Sequence, residues 1–209
     1  MPEIISKHVS GLKAVDLGCG TGRSTRFLKQ LGFEVTGIDI SEDMLRIARS
    51  RDNEGDYKIV ANGEYEHLGI NSFDLVQSIF TFDNIPGWEN RTNILKGLRD
   101  LLKPSGRIIC LDSTPELYVN EWASFTTKEF PGNRTAKTGD IVLDIMLDVE
   151  DRRPVEDIFW TDEDYNKLFD LAELETEAIY KPLGYDHESF EWVSEKEIAP
   201  WMIFVLKKK

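Results

Sequence analysis

The stretch Asp16-Leu17-Gly18-Cys19-Gly20-Thr21-Gly22 constrains this chain more than any other. Residues 12–15 before it read as a short buried strand. After it, Phe27, Leu28 and Leu31 recur at helical spacing across residues 22–31, and Gly32 supplies a C-terminal stop. Strand, glycine turn and helix make a cradle in which bare backbone comes close to a ligand. A dinucleotide fingerprint, G-x-G-x-x-G, would put its third glycine at position 23, and that residue is Arg23. The third glycine here comes one residue early, and an acid, Asp16, closes the strand. A carboxylate at that point repels a pyrophosphate and suits a ligand carrying an amino group. A single glycine would read as a tight structural turn; three of them with Asp16 outweigh that reading.

Down the chain, residues 2–10 suggest a short helix over the mouth of this cradle. Residues 34–40 form a second strand, and strand, helix, strand in so short a space makes a right-handed parallel unit. Asp39 ends that strand beside the glycine loop, where a carboxylate can accept both hydroxyls of a ribose. Ser41 caps the next helix. Ile40 and Met44 are candidates to sandwich an adenine, and Met44 serves equally well as core. Residues 57–60 and 73–80 read as strands three and four, a helix fills 88–102, and strand five covers 107–112. Aromatic and polar residues mix just after strand four, as a small-molecule pocket requires. Phe80 and Phe82 are candidate acceptor contacts there. Asp83 is either a general base or a loop acid ahead of the helix.

The D-x-G-x-G-x-G pattern in its Asp-Leu-Gly-Cys-Gly-Thr-Gly form resembles the first motif of class I S-adenosylmethionine-dependent methyltransferases. Phe73-Asp74-Leu75-Val76 and Leu101-Leu102-Lys103-Pro104-Ser105-Gly106 extend the resemblance, in order, over residues 12–112. It implies an α/β, Rossmann-like fold: a seven-stranded, mostly parallel sheet with helices on both faces and strand seven antiparallel. It implies S-adenosyl-L-methionine as cofactor, with S-adenosyl-L-homocysteine as product. The residues it assigns to that cofactor are Asp16, Gly18, Cys19, Gly20, Thr21, Gly22, Asp39, Ile40, Met44, Asn62, Gly63, Ser78 and Ile79. Asn62 stands where the family often has an acid that bonds the adenine amino group; its amide oxygen can accept the same bond.

The second half is less patterned. Residues 113–138 hold Tyr118, Trp122, Phe125 and Phe130 as apolar anchors in a polar run. Ile141, Leu143, Ile145 and Leu147 then alternate with other residues, which predicts a strand with those four on its apolar face. Residues 155–160 return antiparallel, giving a hairpin that covers the substrate site or forms a dimer edge. A helix from Thr161, strands at 174–181 and 200–207, and a loop between them complete one domain. Its parts are a cofactor core (12–112), a lid or substrate insertion (113–160) and a C-terminal part (161–209). Strand six, if parallel, sends that last loop over the methyl donor. Tyr185, Trp192 and Trp122 become acceptor contacts, and His187 either a general base near neutral pH or a solvated loop residue. Pro182-Leu183-Gly184 with the tryptophan-containing loop resembles small-molecule methyltransferases of the toxoflavin-synthase kind.

A net charge of -13 repels phosphate backbones and anionic membranes, so neither nucleic acid nor a membrane is an expected partner. The expected partner is a small-molecule acceptor, with the chain a monomer or homodimer. Cys19 and Cys110 sit in no C-x-x-C pair and read as reduced cysteines of a cytoplasmic protein, and no metal-ligand cluster is visible. The function expected is direct in-line transfer of a methyl group to an O or N atom of a small organic molecule. The rivals are a non-catalytic binding protein on the same fold and an NAD-dependent oxidoreductase.

Overall fold

The computed structural model describes residues 1–61 and 63–209. Its strands are, in chain order, β1 (Lys13–Leu17), β2 (Glu34–Asp39), β3 (Asp56–Ile59), β4 (Phe73–Ile79), β5 (Leu102–Ser113), β6 (Phe125–Thr126), β7 (Ile141–Met146), β8 (Val155–Ile158), β9 (Leu174–Tyr180) and β10 (Trp201–Lys208). The helices are α1 (Pro2–His8), α2 (Arg23–Gln30), α3 (Glu42–Arg51), α4 (Trp88–Leu101) and α5 (Asp162–Leu171). Seven strands form one sheet in the order β3-β2-β1-β4-β5-β10-β9. β1 to β5 pair in parallel, and β10 lies antiparallel between β5 and β9, so β9 runs with the first five.

The central strands are apolar on both faces because helices cover both. On one face Val15, Val76, Ile108 and Phe204 pack with Ile94, Leu98, Tyr165 and Leu168 from α4 and α5. On the other, Ala14, Leu75, Ile109 and Val205 pack with Leu28 of α2 and Ile5 of α1. Local chemistry sets the helix ends. Ser41 Oγ accepts from Met44 N at 3.3 Å at the start of α3. Thr161 and Asp164 form a reciprocal capping box at the start of α5, with Asp162 and Glu163 in the same first turn. The order reverses between β1 and β4, and ligands of such sheets bind in the crevice beyond the strands' carboxyl ends at that point.

Two expectations change. The first helix does not lie over the cradle. Ile5 buries against Ile203 and Val205, and His8 Nε2 meets Tyr180 Oη at 2.7 Å, so α1 docks on the α2 face of the sheet, beside β9 and β10. The hairpin exists, but its buried face is the opposite one. Val142 and Asp144 point inward, while Ile141 is 60% exposed. Across the ladder Val142 faces Asp157, whose carboxylate takes the Tyr118 hydroxyl at 3.0 Å, and Asn133 bonds both backbone groups of Leu143. These polar anchors, drawn from residues far apart in sequence, outweigh the alternation of apolar side chains.

β6, β7 and β8 make a small second sheet. Leu117, Tyr118, Trp122, Phe125 and Val142 pack beneath it, with Trp201 of β10 against them. Among the described residues, no helix is long and apolar enough to cross a membrane.

Candidate active site

The crevice beyond β1, β2 and β4 holds a cavity of about 620 Å³. Gly18 and Gly20 form one wall, Asp39, Ile40 and Met44 another, and Ile79 to Thr81 with Asn84 to Pro86 and Asn90 a third. Gly18 needs its bare backbone, because a Cβ there would come within 2.2 Å of Thr81 Oγ1. Thr81 Oγ1 donates to the Leu17 carbonyl at 3.0 Å and so ties the loop to the end of β4. Gly22 starts α2 in the left-handed region at φ 78, with Tyr57 Oη 2.5 Å from where a Cβ would stand. Gly20 is different. A Cβ on it would meet nothing within 4 Å, so its backbone borders open cavity space.

Asp39 is held firmly. Its Oδ2 accepts from Gly20 N at 2.8 Å and its Oδ1 from Ser41 N at 2.9 Å. Each oxygen keeps a lone pair for a hydroxyl donor. Ile40 and Met44 stand beside it, 63% and 44% exposed, as an uncovered apolar platform.

Asp16, the other strand-end acid, does not reach the cavity. It is fully buried under the loop, where it accepts from Thr25 Oγ1 at 2.6 Å, Ser24 Oγ at 2.7 Å and Gln77 Nε2 at 3.4 Å. Burial pushes its pKa up to about 6, against the pull of those donors. Its part is to fasten the loop to the first turn of α2, so a direct bond from Asp16 to a ligand amino group does not fit this arrangement. Cys19 is buried against Leu45, Ala48 and Tyr57, and burial pushes its thiol up to about 12, so no thiolate is offered there. Thr21 faces away, its Oγ1 accepting from Arg51 at 3.1 Å. Ser78 is buried within β4, and Gly63 borders a separate small depression with Tyr65 and Asn93. Asn62 lies outside the described residues.

The expected acceptor contacts divide. Phe80 lines the cavity; its backbone sits at φ 56, a left-handed conformation rare for an aromatic residue, and its ring meets Trp201 edge-on at 5.9 Å. Phe82 is core. Trp122 is also core, its Nε1 donating to the Leu117 carbonyl at 2.8 Å. Asp83 is buried behind the cavity wall and accepts from Ser113. Tyr185 and His187 stack on each other at 5.4 Å in an exposed loop, and Trp192 packs against Phe190 at 4.8 Å. None of these three borders the cavity. Thr81 and Asn84, in the mixed polar and aromatic run expected to form a pocket after strand four, do border it, and so does Asn90 of α4, for which the sequence offers no signal.

A bare-backbone loop, a pinned acid on the neighbouring strand and this strand order define a doubly wound α/β domain with an open crevice at the point where the strand order reverses. Residues 15–110 match a family model described as a methyltransferase domain. A demethylmenaquinone methyltransferase of Staphylococcus aureus (strain MRSA252) is 38% identical over 115 residues, 52% of this chain and 46% of that protein. One from Thermotoga maritima is 31% identical over 139 residues, 60% and 59% of the two chains. The chain thus spans about half the length of the curated relatives it matches. In fold it resembles the PH0226 protein of Pyrococcus horikoshii (TM-score 0.69, 23% identity, 100% of this chain and 87% of that one). It likewise resembles a SAM-dependent methyltransferase of Methanosarcina mazei (TM-score 0.70, 17% identity, 98% and 96%). Over residues 15–110 the chain is similar to methyltransferase domains, and over nearly all its length it shares the fold of S-adenosylmethionine-dependent methyltransferases.

Proposed function

We propose that this domain transfers a methyl group from S-adenosylmethionine to a small organic acceptor by direct in-line displacement. The observation that carries this reading is the make-up of the cavity wall. Among the described residues lining it, Asp39 alone carries a charge, and no cysteine, lysine or histidine is present to form a covalent intermediate. The cofactor, when bound, supplies a methyl group already activated on a sulfonium, so correct placement of the acceptor accounts for much of the rate. Asp39 takes the ribose hydroxyls. Ile40 and Met44 flank the adenine, and Gly18 and Gly20 let the amino-acid end approach the backbone. Phe80, held in its unusual backbone conformation, shields the transfer space from water on the side of the inserted sheet.

The acceptor is read as a small molecule because the net charge of -13 opposes a nucleic acid. An oxygen or nitrogen nucleophile is one choice. The relatives named for demethylmenaquinone favour a second, a carbon atom. The inserted 113–160 segment is read as the acceptor-side cover.

Calorimetric titration with S-adenosylhomocysteine and with NADH tests the cofactor: the first binds and the second does not. Release of S-adenosylhomocysteine is then followed with phenolic, amine and quinol acceptors, demethylmenaquinone analogues included. Binding without turnover on any acceptor would leave a cofactor-binding module instead of an enzyme.

A further inference from the structure

Behind the cavity wall lies a second group of ionisable side chains that the transfer reaction does not use. Asp83, in the short turn Phe82–Asn84, accepts from Ser113 N at 3.2 Å and Ser113 Oγ at 2.8 Å. Asp112, the residue before Ser113 on β5, is fully buried, and neither of its oxygens has a hydrogen-bond partner among the described residues. Arg91 of α4 is fully buried too. It gives Nε to the Ile85 carbonyl and Nη2 to the Phe82 carbonyl, each at 2.5 Å, and lies 4.0 Å from the Trp160 ring centre. Its Nη1 is left without a partner among the described residues.

Around this pair stand Asp157 of β8, Asp144 of β7 and Tyr118 from the inserted unit, Tyr165 of α5 and Cys110 of β5. Of the four carboxyl groups, the Arg91 charge acts on Asp112, and the bonds of Arg91 itself go to backbone carbonyls. Residues 82–85, which Asp83 and Arg91 tie down from behind, run directly into the cavity wall through Thr81, Asn84 and Ile85.

A buried carboxylate with two unbonded oxygens is a costly state, and a carboxyl hydrogen supplies the missing donor while removing a charge. We propose that Asp83 and Asp112 hold one proton between them, and that this proton positions the 80–86 wall of the cofactor cavity. With the proton in place, Asp83 anchors the turn to Ser113. Once it is lost, two buried carboxylates, one bonded to the residue that follows the other, repel each other, the turn loosens and cofactor affinity falls. Asp83 is thus a positioning residue, acting through Thr81, Asn84 and Ile85.

The electrostatics run the same way. Burial pushes Asp112 up to about 7 while Arg91 pulls it back. Burial, then the charges of Asp112 and Asp157, pushes Asp83 well above the usual carboxylate range. Burial also raises Asp157, and it lifts Asp144 to about 7. Tyr118, Tyr165 and Cys110 are all raised by burial and stay neutral.

Amide hydrogen exchange on the ligand-free chain, corrected for intrinsic base catalysis, reads the proton directly. Between about pH 6 and about pH 9, amides in 80–86 should lose about tenfold in protection, the change expected when a single proton held up to about pH 7 is lost over that range. Amides of α2 should not, and Asp112→Asn should keep 80–86 flat. Equal profiles in wild type and variant, or a loss spread evenly over the sheet, would overturn the proposal. If Asp112→Asn does not fold, Asp83→Asn gives the same reading, because its amide oxygen still accepts from Ser113.

A second arm, resting on the methyltransferase reading, titrates S-adenosylhomocysteine over the same range. Wild-type affinity should fall about tenfold and that of Asp112→Asn less than about twofold. A flat wild-type profile counts against the proton. No binding at any pH counts against the cofactor reading, and the exchange result still decides the proton.

Discussion

Asp16 and Asp39 show how much one residue's surroundings decide. Both are acids near the carboxyl end of a strand next to the glycine loop. Asp39 opens on the cavity, so Asp39→Ala should weaken S-adenosylhomocysteine binding by about 1–3 kcal/mol through lost charged hydrogen bonds; calorimetry checks this, and unchanged affinity removes the ribose role. Asp16 is sealed beneath the loop with its pKa raised to about 6. A carboxyl group raised on folding adds stability that is complete below its unfolded value near 3.8 and is lost as pH rises through about 6. The loss amounts to ~3 kcal/mol by neutral pH. Chemical denaturation of Asp16→Asn between pH 4 and pH 7.5 should show a correspondingly flatter profile than wild type. Sequence position could not separate the two acids: both spacings suit a ligand contact, and only the hydroxyls of Ser24 and Thr25 folding back onto Asp16 divide them.

At the scale of elements, the parts whose signals are local came through the sequence intact. The α5 start is an example, because its capping box lies within four consecutive residues. Thr161→Ala should cost about 1 kcal/mol, measured as a lower denaturation midpoint at unchanged slope. β1, β2 and β4 were also legible, since apolar runs bounded by glycine and acids are local patterns. The face of β7 was not. Its alternation pointed Ile141, Leu143 and Ile145 inward, yet Asn133, Tyr118 and Asp157 hold the strand the other way round. α1 was legible as a helix and illegible as to place, because its docking depends on Ile203, Val205 and Tyr180 near the other end of the chain.

For the whole molecule, the inserted sheet has its own small core but shares Trp201 with the main sheet through Phe80 and Phe125. It should therefore unfold with the rest. Far-ultraviolet circular dichroism and tryptophan fluorescence should give coincident urea transitions, and two separated midpoints would show the insertion to be an independent unit. By itself, the sequence determined the cofactor half: a strand, a bare loop, a helix and an acid-tipped second strand are neighbours in the chain, so their geometry follows from local rules. Which side chains face the cavity was decided by tertiary structure alone. Thr81 closes against the backbone of Leu17, Trp122 sinks into the insertion's core, and Asp83 turns from the cavity toward Ser113. The hydrogen-bond partners of Thr81 and Asp83 lie tens of residues away, as does the Trp201 that packs against the core holding Trp122, and no local pattern records that balance of burial and bonding.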